Sequence, residues 1–435
     1  MGERFVLLGL GQPRAEWFRT VAAWATSGAL PAEFLKCVSA EELRAHLSSS
    51  RIFSAALLDA GLPATDRELI GAVRDAGAVP IVVEAPGVQR DWSALGAVAV
   101  LPAQLEREDL LDTLGAHAPR VSTGEALPRE PSADDGPPRE EPAPVVTVCG
   151  PGGTGASTAA IALAQGLASE QDARRPVLLA DLCLRAEQAM LHDARDVVPG
   201  VQELVEVHRG NRPTPGEVHA QTFRVVERGY HLLLGLRRPR YWSALRPRSF
   251  SAAFASLRQA FGTVVCDVTA DFEGEADGGS MDVEERNLMS RTALGEASVV
   301  LAVGGPDMKG LHGLARLLAE LREAGADDER VVPVINRAPR QGRRRAALAG
   351  ALQELVPSDV RSAPVLLPRR RVDEALRDGV PLPGPLPDHL RGAFRATLER
   401  AGAGAREAAG PEPVVPGSLG AFAADVAIPG EEATP

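Results

Sequence analysis

Lysine is almost missing from this chain: of 47 basic residues only Lys36 and Lys309 are lysines, the rest arginine. A position whose chemistry needs a flexible primary ammonium therefore draws on very few candidates. Cysteine is scarce as well. Cys37, Cys149, Cys183 and Cys266 show no paired metal spacing, and the eight histidines form no HExxH-like cluster, so reduced core thiols and no structural metal are expected. No apolar run reaches the ~18 residues of a membrane span, and no charged-then-apolar leader opens the chain. The expectation is a cytoplasmic protein whose membrane contact, if any, is peripheral, at the inner face. A net charge of -11 argues against a general coat for nucleic acid, although local arginine patches remain.

What is present divides the chain. Its 435 residues, 45% of them hydrophobic, are enough for two or three domains with ordinary cores. Residues 1–117 alternate short apolar strands (RFVLLGLG, EFLKCVS, FSAALLDAG, VPIVVEA, AVAVLPA) with helical stretches, which implies a parallel α/β sheet. Residues 118–144 are rich in proline and acids with few large apolar side chains. Such a stretch cannot bury enough surface to offset its ordering entropy, so it reads as a disordered linker that lets the flanking domains move. A second α/β domain follows over 145–405. The segment 406–435, rich in Ala, Gly and Pro, reads as a disordered tail.

The second domain is organised around VVTVCGPGGTGAST, Val145 to Thr158, an apolar strand that breaks into a glycine-rich loop and opens an alanine-rich helix. In such a loop successive N–H groups turn inward and the helix adds its positive end, so a di- or triphosphate can rest on main-chain donors. A working loop also carries a lysine just before the Ser/Thr, and here that place is Ala156. Later strands end in Asp181 (RRPVLLADL), Asp267 (FGTVVCDVTAD) and Asn336 (VVPVINR), which puts polar groups around the crevice where parallel sheets bind ligands.

The order of GPGGTGAST, LLADLCLRAEQAMLHD, TVVCDVTA, SVVLAVGGPD, VVPVINRAP and VLLPRRRVDEALRDGVPLP resembles the MinD/ParA group of deviant-Walker P-loop proteins, over Val145 to Leu398. With a receiver-like stretch before it, the chain is most similar to the CpaE/TadZ branch, which localises Tad-type pilus and secretion machinery. The resemblance implies two doubly wound parallel-sheet domains, receiver-like and then MinD/ParA-like. It implies ATP or ADP with Mg²⁺, weakly bound if at all, on Gly152, Gly153, Thr154, Gly155, Ala156, Ser157 and Thr158. Ser157, Asp267 and Asp181 would serve the metal, and Asn336 and Arg337 the base. It also implies a homodimer and protein partners in a secretion or pilus machine, with DNA a less favoured partner.

Departures from the pattern carry the functional expectation. The signature lysine that would reach a partner's nucleotide falls at Pro151, and the second acid of the Asp-x-Asp pattern is Cys183, which cannot orient water as a carboxylate does. No catalytic residue is assigned. The expected function is a pseudo-ATPase or nucleotide-responsive scaffold. The alternatives are an active ATPase switch in division, partitioning or pilus positioning, and a ParA-like non-specific DNA binder acting through LRRPRYWSALRPR, NRAPRQGRRR and PRRRVDEALR gathered on one side. In the receiver-like stretch Asp59 matches the phospho-acceptor, but no acidic pair follows the first strand and Leu101 stands where a lysine is expected. A structural role for Asp59 is therefore favoured.

Overall fold

The computed structural model describes residues 4–12, 14–49, 51–120, 141–170, 175–275, 280–356 and 363–408, with side chains of the last segment described to residue 401. In the first domain, strands β1 (Phe5–Leu10), β2 (Ala32–Cys37), β3 (Ala55–Asp59), β4 (Val79–Val83) and β5 (Ala99–Leu101) alternate with helices α1 (Glu16–Ser27), α2 (Ala40–Leu47), α3 (Arg67–Asp75) and α4 (Arg107–His117). All its strand pairs are parallel. The order β2-β1-β3-β4-β5 is that of a flavodoxin-type doubly wound sheet. β1 and β3 are buried along their whole length, as expected of strands covered on both faces, which read as near-continuous apolar runs.

The second domain contains β6 (Val145–Cys149), α5 (Ala156–Ala168), β7 (Val177–Leu182), α6 (Gln188–Leu191), α7 (Val201–Gly210), α8 (Pro215–His219), β8 (Phe223–Val225), β9 (Tyr230–Leu233), α9 (Pro247–Ala260), β10 (Thr263–Val268), α10 (Met281–Arg286), α11 (Leu288–Gly295), β11 (Val299–Gly304), α12 (Met308–Glu323), β12 (Val331–Ala338), α13 (Gly342–Leu355), β13 (Val365–Pro368), α14 (Asp373–Arg377) and α15 (Pro385–Ala408). The sheet runs β13-β12-β11-β6-β10-β7-β9-β8, parallel except where the short edge strand β8 pairs antiparallel with β9. The glycine-rich loop leaves β6, whose neighbours β10 and β11 lie on opposite sides, so it opens at the crevice where doubly wound sheets take ligands. Most of the expected linker and tail, 121–140 and 409–435, lies outside the described residues; α15 carries the chain to Ala408, three residues past the expected end of the domain.

The two domains pack together through the first turn of α3. Asp66 caps its own helix by accepting from Leu69 N–H (3.0 Å), and its other oxygen accepts from Arg209 Nε (2.8 Å) at the end of α7. Arg67 Nε donates to His208 O at 2.9 Å, satisfying one of the carbonyls a helix C-terminus leaves open. Glu68, only 8% exposed, accepts from Ser249 N–H (2.7 Å) and Ser249 Oγ (2.9 Å). It thereby caps α9, whose own preceding residue Arg246 provides no side-chain cap. Gly71 allows this approach, because a Cβ there would fall 2.2 Å from Arg248 Cδ. Three consecutive residues of one domain thus hold two helix ends of the other. The freely moving pair expected from the linker composition is not what this interface describes.

Candidate nucleotide site

The loop after β6 keeps its phosphate-cradle backbone. Gly153 and Gly155 lie at φ +83° and +88°, in the left-handed region that only glycine adopts freely. α5 begins at Ala156 with no side chain capping it, so its first N–H groups are available to an anion. Gly155 is fixed sterically as well: a Cβ would stand 2.5 Å from Asn336 Nδ2. Ala156 and Pro151 occupy the two cation places of the sequence reading, and neither supplies a charge.

Asn336 and Arg337 meet the loop directly. Asn336 Nδ2 donates to Thr154 O at 2.8 Å, and Arg337 Nη1 donates to Gly153 O at 3.1 Å. Arg337 adopts φ +56°, uncommon for a non-glycine residue, and its own N–H is satisfied by Asn336 Oδ1 at 2.8 Å. In this structure both side chains brace the loop, and the hydrogen bonds that the sequence reading reserved for a base go to main-chain carbonyls.

Asp181 and Asp267 stand in register on neighbouring strands β7 and β10, both buried at 0% and 1% exposure. Each Asp181 oxygen is taken: Oδ1 accepts from Cys183 N–H (3.2 Å) and Oδ2 from Gln188 N–H (2.9 Å). Asp267 Oδ2 accepts from Gln188 Nε2 at 2.7 Å, and the same amide lies 3.3 Å from Ser157 O. Burial pushes the pKa of both carboxyls up; for Asp181 the neighbouring Asp267 adds to the rise. Burial likewise pushes the Cys183 thiol up, Asp267 and Asp181 reinforcing it, so this sulfur is a neutral group and no nucleophile. Gln188 is the residue the sequence reading missed. That reading weighed Glu187, which is exposed, whereas its neighbour is fully buried and ties β10 to the start of α5.

Asp181, Cys183 and Asp267 bring their donor atoms within 4.8 Å of one another. The sequence pattern already put Cys183 two positions after Asp181, in the place of the second acid. The oxygen donors Ser157, Asp267 and Asp181 suit a hard cation, and buried Gln188 Oε1, with no hydrogen-bond partner, is a further oxygen at that place. The residues therefore fit Mg²⁺ chemically, and the loop fits a phosphate. Lys309 and Arg316, on α12, line a separate cavity of about 610 Å³ with Pro151, Gly152, Gly153 and Thr154. Of the three arginine runs, only the two after β12 and β13 converge. The run after β9 lies toward the other end of the strand order, with Arg237 paired to Glu203 and Arg248 to Glu68 and Asp75. The expectation of one common basic face is corrected accordingly.

Strand order, glycine loop and paired strand-end acids define a P-loop α/β domain. Among solved structures the chain is similar to the cell-division ATPase MinD of Pyrococcus furiosus, at 18% identity and TM-score 0.41, over 59% of this chain and 98% of that one. It is also similar to a ParA-family ATPase from Chlorobium tepidum, at 13% identity and TM-score 0.43, over 59% and 98%. A third likeness is to the septum site-determining protein MinD of Pyrococcus horikoshii in complex with Mg-ADP, at 18% identity and TM-score 0.40, over 65% and 99%. No family model and no curated protein matches the sequence. Among the described residues no helix is long and apolar enough to cross a membrane.

Proposed function

We propose that this protein is a nucleotide-responsive scaffold with little or no ATPase activity, of the CpaE/TadZ kind that localises pilus or secretion machinery, and that it works as a homodimer. One observation carries the reading: the main-chain phosphate cradle and its helix end are intact, while Ala156, Pro151 and Cys183 stand where the chemistry needs two cations and an acid. Backbone donors bind ground-state phosphate. Charge that develops on the γ-phosphate requires further donors, and losing one of this kind costs about 10²- to 10³-fold in rate. When a nucleotide binds, Ser157, Asp267 and Asp181 would hold its Mg²⁺, which neutralises phosphate charge. Gln188 would hold Asp267 in place, and Asn336 and Arg337 would keep the loop in its binding shape.

Lys309 and Arg316 beside the loop's outer turn favour a second reading, an active ATPase switch that draws its cation from α12. Equilibrium binding of ADP with Mg²⁺ and phosphate release from ATP separate the two. The scaffold reading expects binding without turnover above background, and restoration of binding strength in the double variant Ala156→Lys/Cys183→Asp. Turnover by the unaltered protein that disappears in Lys309→Ala establishes the switch instead.

A further inference from the structure

Helix α7 is bonded at one end to the surroundings of the strand-end acids and at the other to the first domain. At its start Val201 N–H donates to Leu234 O at 2.8 Å, and a Cβ on Gly200 would stand 2.8 Å from the same carbonyl. Glu203 in the first turn accepts from Gly200 N–H at 2.9 Å, and its other oxygen pairs with Arg237. At the far end His208 O accepts from Arg67 and the Arg209 side chain donates to Asp66, both at the start of α3. The ten residues of the helix span about 15 Å.

The segment beneath the helix start, Leu234 to Arg237, lies against Asp181. Gly235 has no room for a side chain: a Cβ there would fall 2.7 Å from Asp181 O, 2.9 Å from Asp181 Cγ and 2.6 Å from Ala186 Cβ. Ala186 belongs to the turn whose N–H groups, at Cys183 and Gln188, take both Asp181 oxygens. Leu234 and Leu236 on either side of Gly235 are buried, and a close-packed contact passes a displacement on instead of absorbing it. Sideways, His208 Nε2 lies 2.8 Å from Ser256 Oγ of α9, and Leu204 and Val205 share a buried cluster with Phe250, Ala253 and Leu257. The two helices whose ends the α3 clamp holds are therefore tied to each other and, through α7, to the step beside Asp181.

We propose that α7 couples the loop site to the first domain, so that docking of α3 and the sharing of Asp181 with the Mg²⁺ of a nucleotide oppose each other. The inference rests on the nucleotide-responsive reading and says where the response goes. In the docked form both oxygens of Asp181 serve the turn that leans on Gly235. Sharing that carboxylate with a cation weakens the hold of the turn, and the contacts at Gly235 and Leu234 pass the change to α7. Coupling is reciprocal: opening the clamp must favour the ligand by the factor by which the ligand opens the clamp. The first domain thereby has a task that needs no phosphoryl transfer to Asp59.

Hydrogen exchange at the Ser249 amide, which donates to Glu68 across the interface, reads docking, and calorimetric titration of ADP with Mg²⁺ reads the site. In the full chain saturating Mg-ADP should quicken that exchange about tenfold, within the usual range of such couplings, and Glu68→Ala should bind Mg-ADP more tightly by the same factor. Glu203→Ala alters neither Asp181 nor α3; in its background Mg-ADP should still bind while both effects fall below about twofold. Mg-ADP binding that leaves Ser249 exchange and the Glu68→Ala affinity unchanged, effects of the opposite sign, or effects that survive in Glu203→Ala, overturn the proposal. Absence of any ADP binding refutes the nucleotide-responsive reading by itself. Asp181→Asn, which turns one acceptor into a donor, then takes the ligand's place, and Ser249 exchange that stays as in the unaltered protein overturns the coupling. Gly235→Ala supplies that perturbation if Asp181→Asn melts early.

Discussion

Replacing Glu68 by alanine removes the group that joins the two domains most closely, and the cost can be worked out bond by bond. Its carboxylate accepts from Ser249 N–H and Ser249 Oγ, and lies 3.4 Å from Arg248 N. Ser249 is fully buried, so its amide has no ready water to replace the lost acceptor. Removal of a helix cap costs about 0.5–2 kcal/mol, and a hydrogen bond to a charged group contributes about 1.5–3 kcal/mol. These overlap, since one bond serves both roles, which leaves about 2–4 kcal/mol. The partly exposed pairing with Arg248 adds little. Because the acceptor belongs to one domain and the donors to the other, the loss falls on docking and on the first turn of α9. Hydrogen exchange at the amides of Arg248 and Ser249 should quicken by about 30- to 1,000-fold. Calorimetry should resolve one unfolding transition into two, while Glu68→Gln, which keeps an acceptor without the charge, falls between. Unchanged exchange and a single unshifted transition in Glu68→Ala would mean that the interface carries no docking energy, and the argument would fail.

Three further outcomes are expected. His192, whose ring nitrogens meet Gln188 O at 2.8 Å and the Tyr230 hydroxyl at 2.6 Å, is held by burial to about 4, below its ordinary 6.5. The unfolded chain takes up this proton first as pH falls, so the contribution is fully present above 6.5 and is lost down to about 4, roughly 3 kcal/mol in all. Thermal melts between pH 7.5 and 4.5 should show that acid slope flatten in His192→Asn, and an unchanged slope would assign it to other groups. Gln188→Ala takes away the donor that holds Asp267 Oδ2 and the unpartnered Gln188 Oε1; it should lower stability by about 1–3 kcal/mol and weaken the Mg²⁺-dependent part of ADP binding, which isothermal titration measures against a metal-free control. Asp59 is buried, with Oδ1 accepting from Gly61 N–H at 2.8 Å and its carbonyl from Thr65 Oγ1 at 2.6 Å; acetyl phosphate with Mg²⁺ should leave the intact mass unchanged, and an Asp59-dependent phosphoryl increment would show a working acceptor.

Much of the fold was legible because it is written locally. Buried parallel strands read as apolar runs such as VVTVC and TVVCDV, and the glycines of the loop mark a backbone that other residues resist. Their order along the chain was enough to place Asp181 and Asp267 at strand ends. Gln188 left no such signal, since a glutamine beside a glutamate in a helical stretch looks like any solvated pair, and only the folded loop turns one inward and the other out. The clamp at Asp66, Arg67 and Glu68 was hidden for a related reason: polar residues in the first turn of a helix are ordinary caps, and nothing local says that the helix end they satisfy belongs to another domain. The arginine runs were visible, but their convergence depends on β12 and β13 being neighbours while β9 sits elsewhere, a property of strand order alone.

The surviving acids illustrate why residue identity at a familiar place is weak evidence for chemistry. Asp181 uses both oxygens to hold the turn that follows β7, and Asp267 is linked through Gln188 to the start of α5. Each therefore has a structural reason to remain an acid or an isostere even if no phosphate is ever cleaved. The places where a charge would stabilise the γ-phosphate are occupied by Ala156, Pro151 and Cys183. On the scaffold reading proposed above, the groups that also shape the loop are kept, while those three places lack the charges that would stabilise the transition state. A protein that still needed hydrolysis would be expected to show the reverse, tolerating a looser frame before giving up the charges that stabilise the transition state.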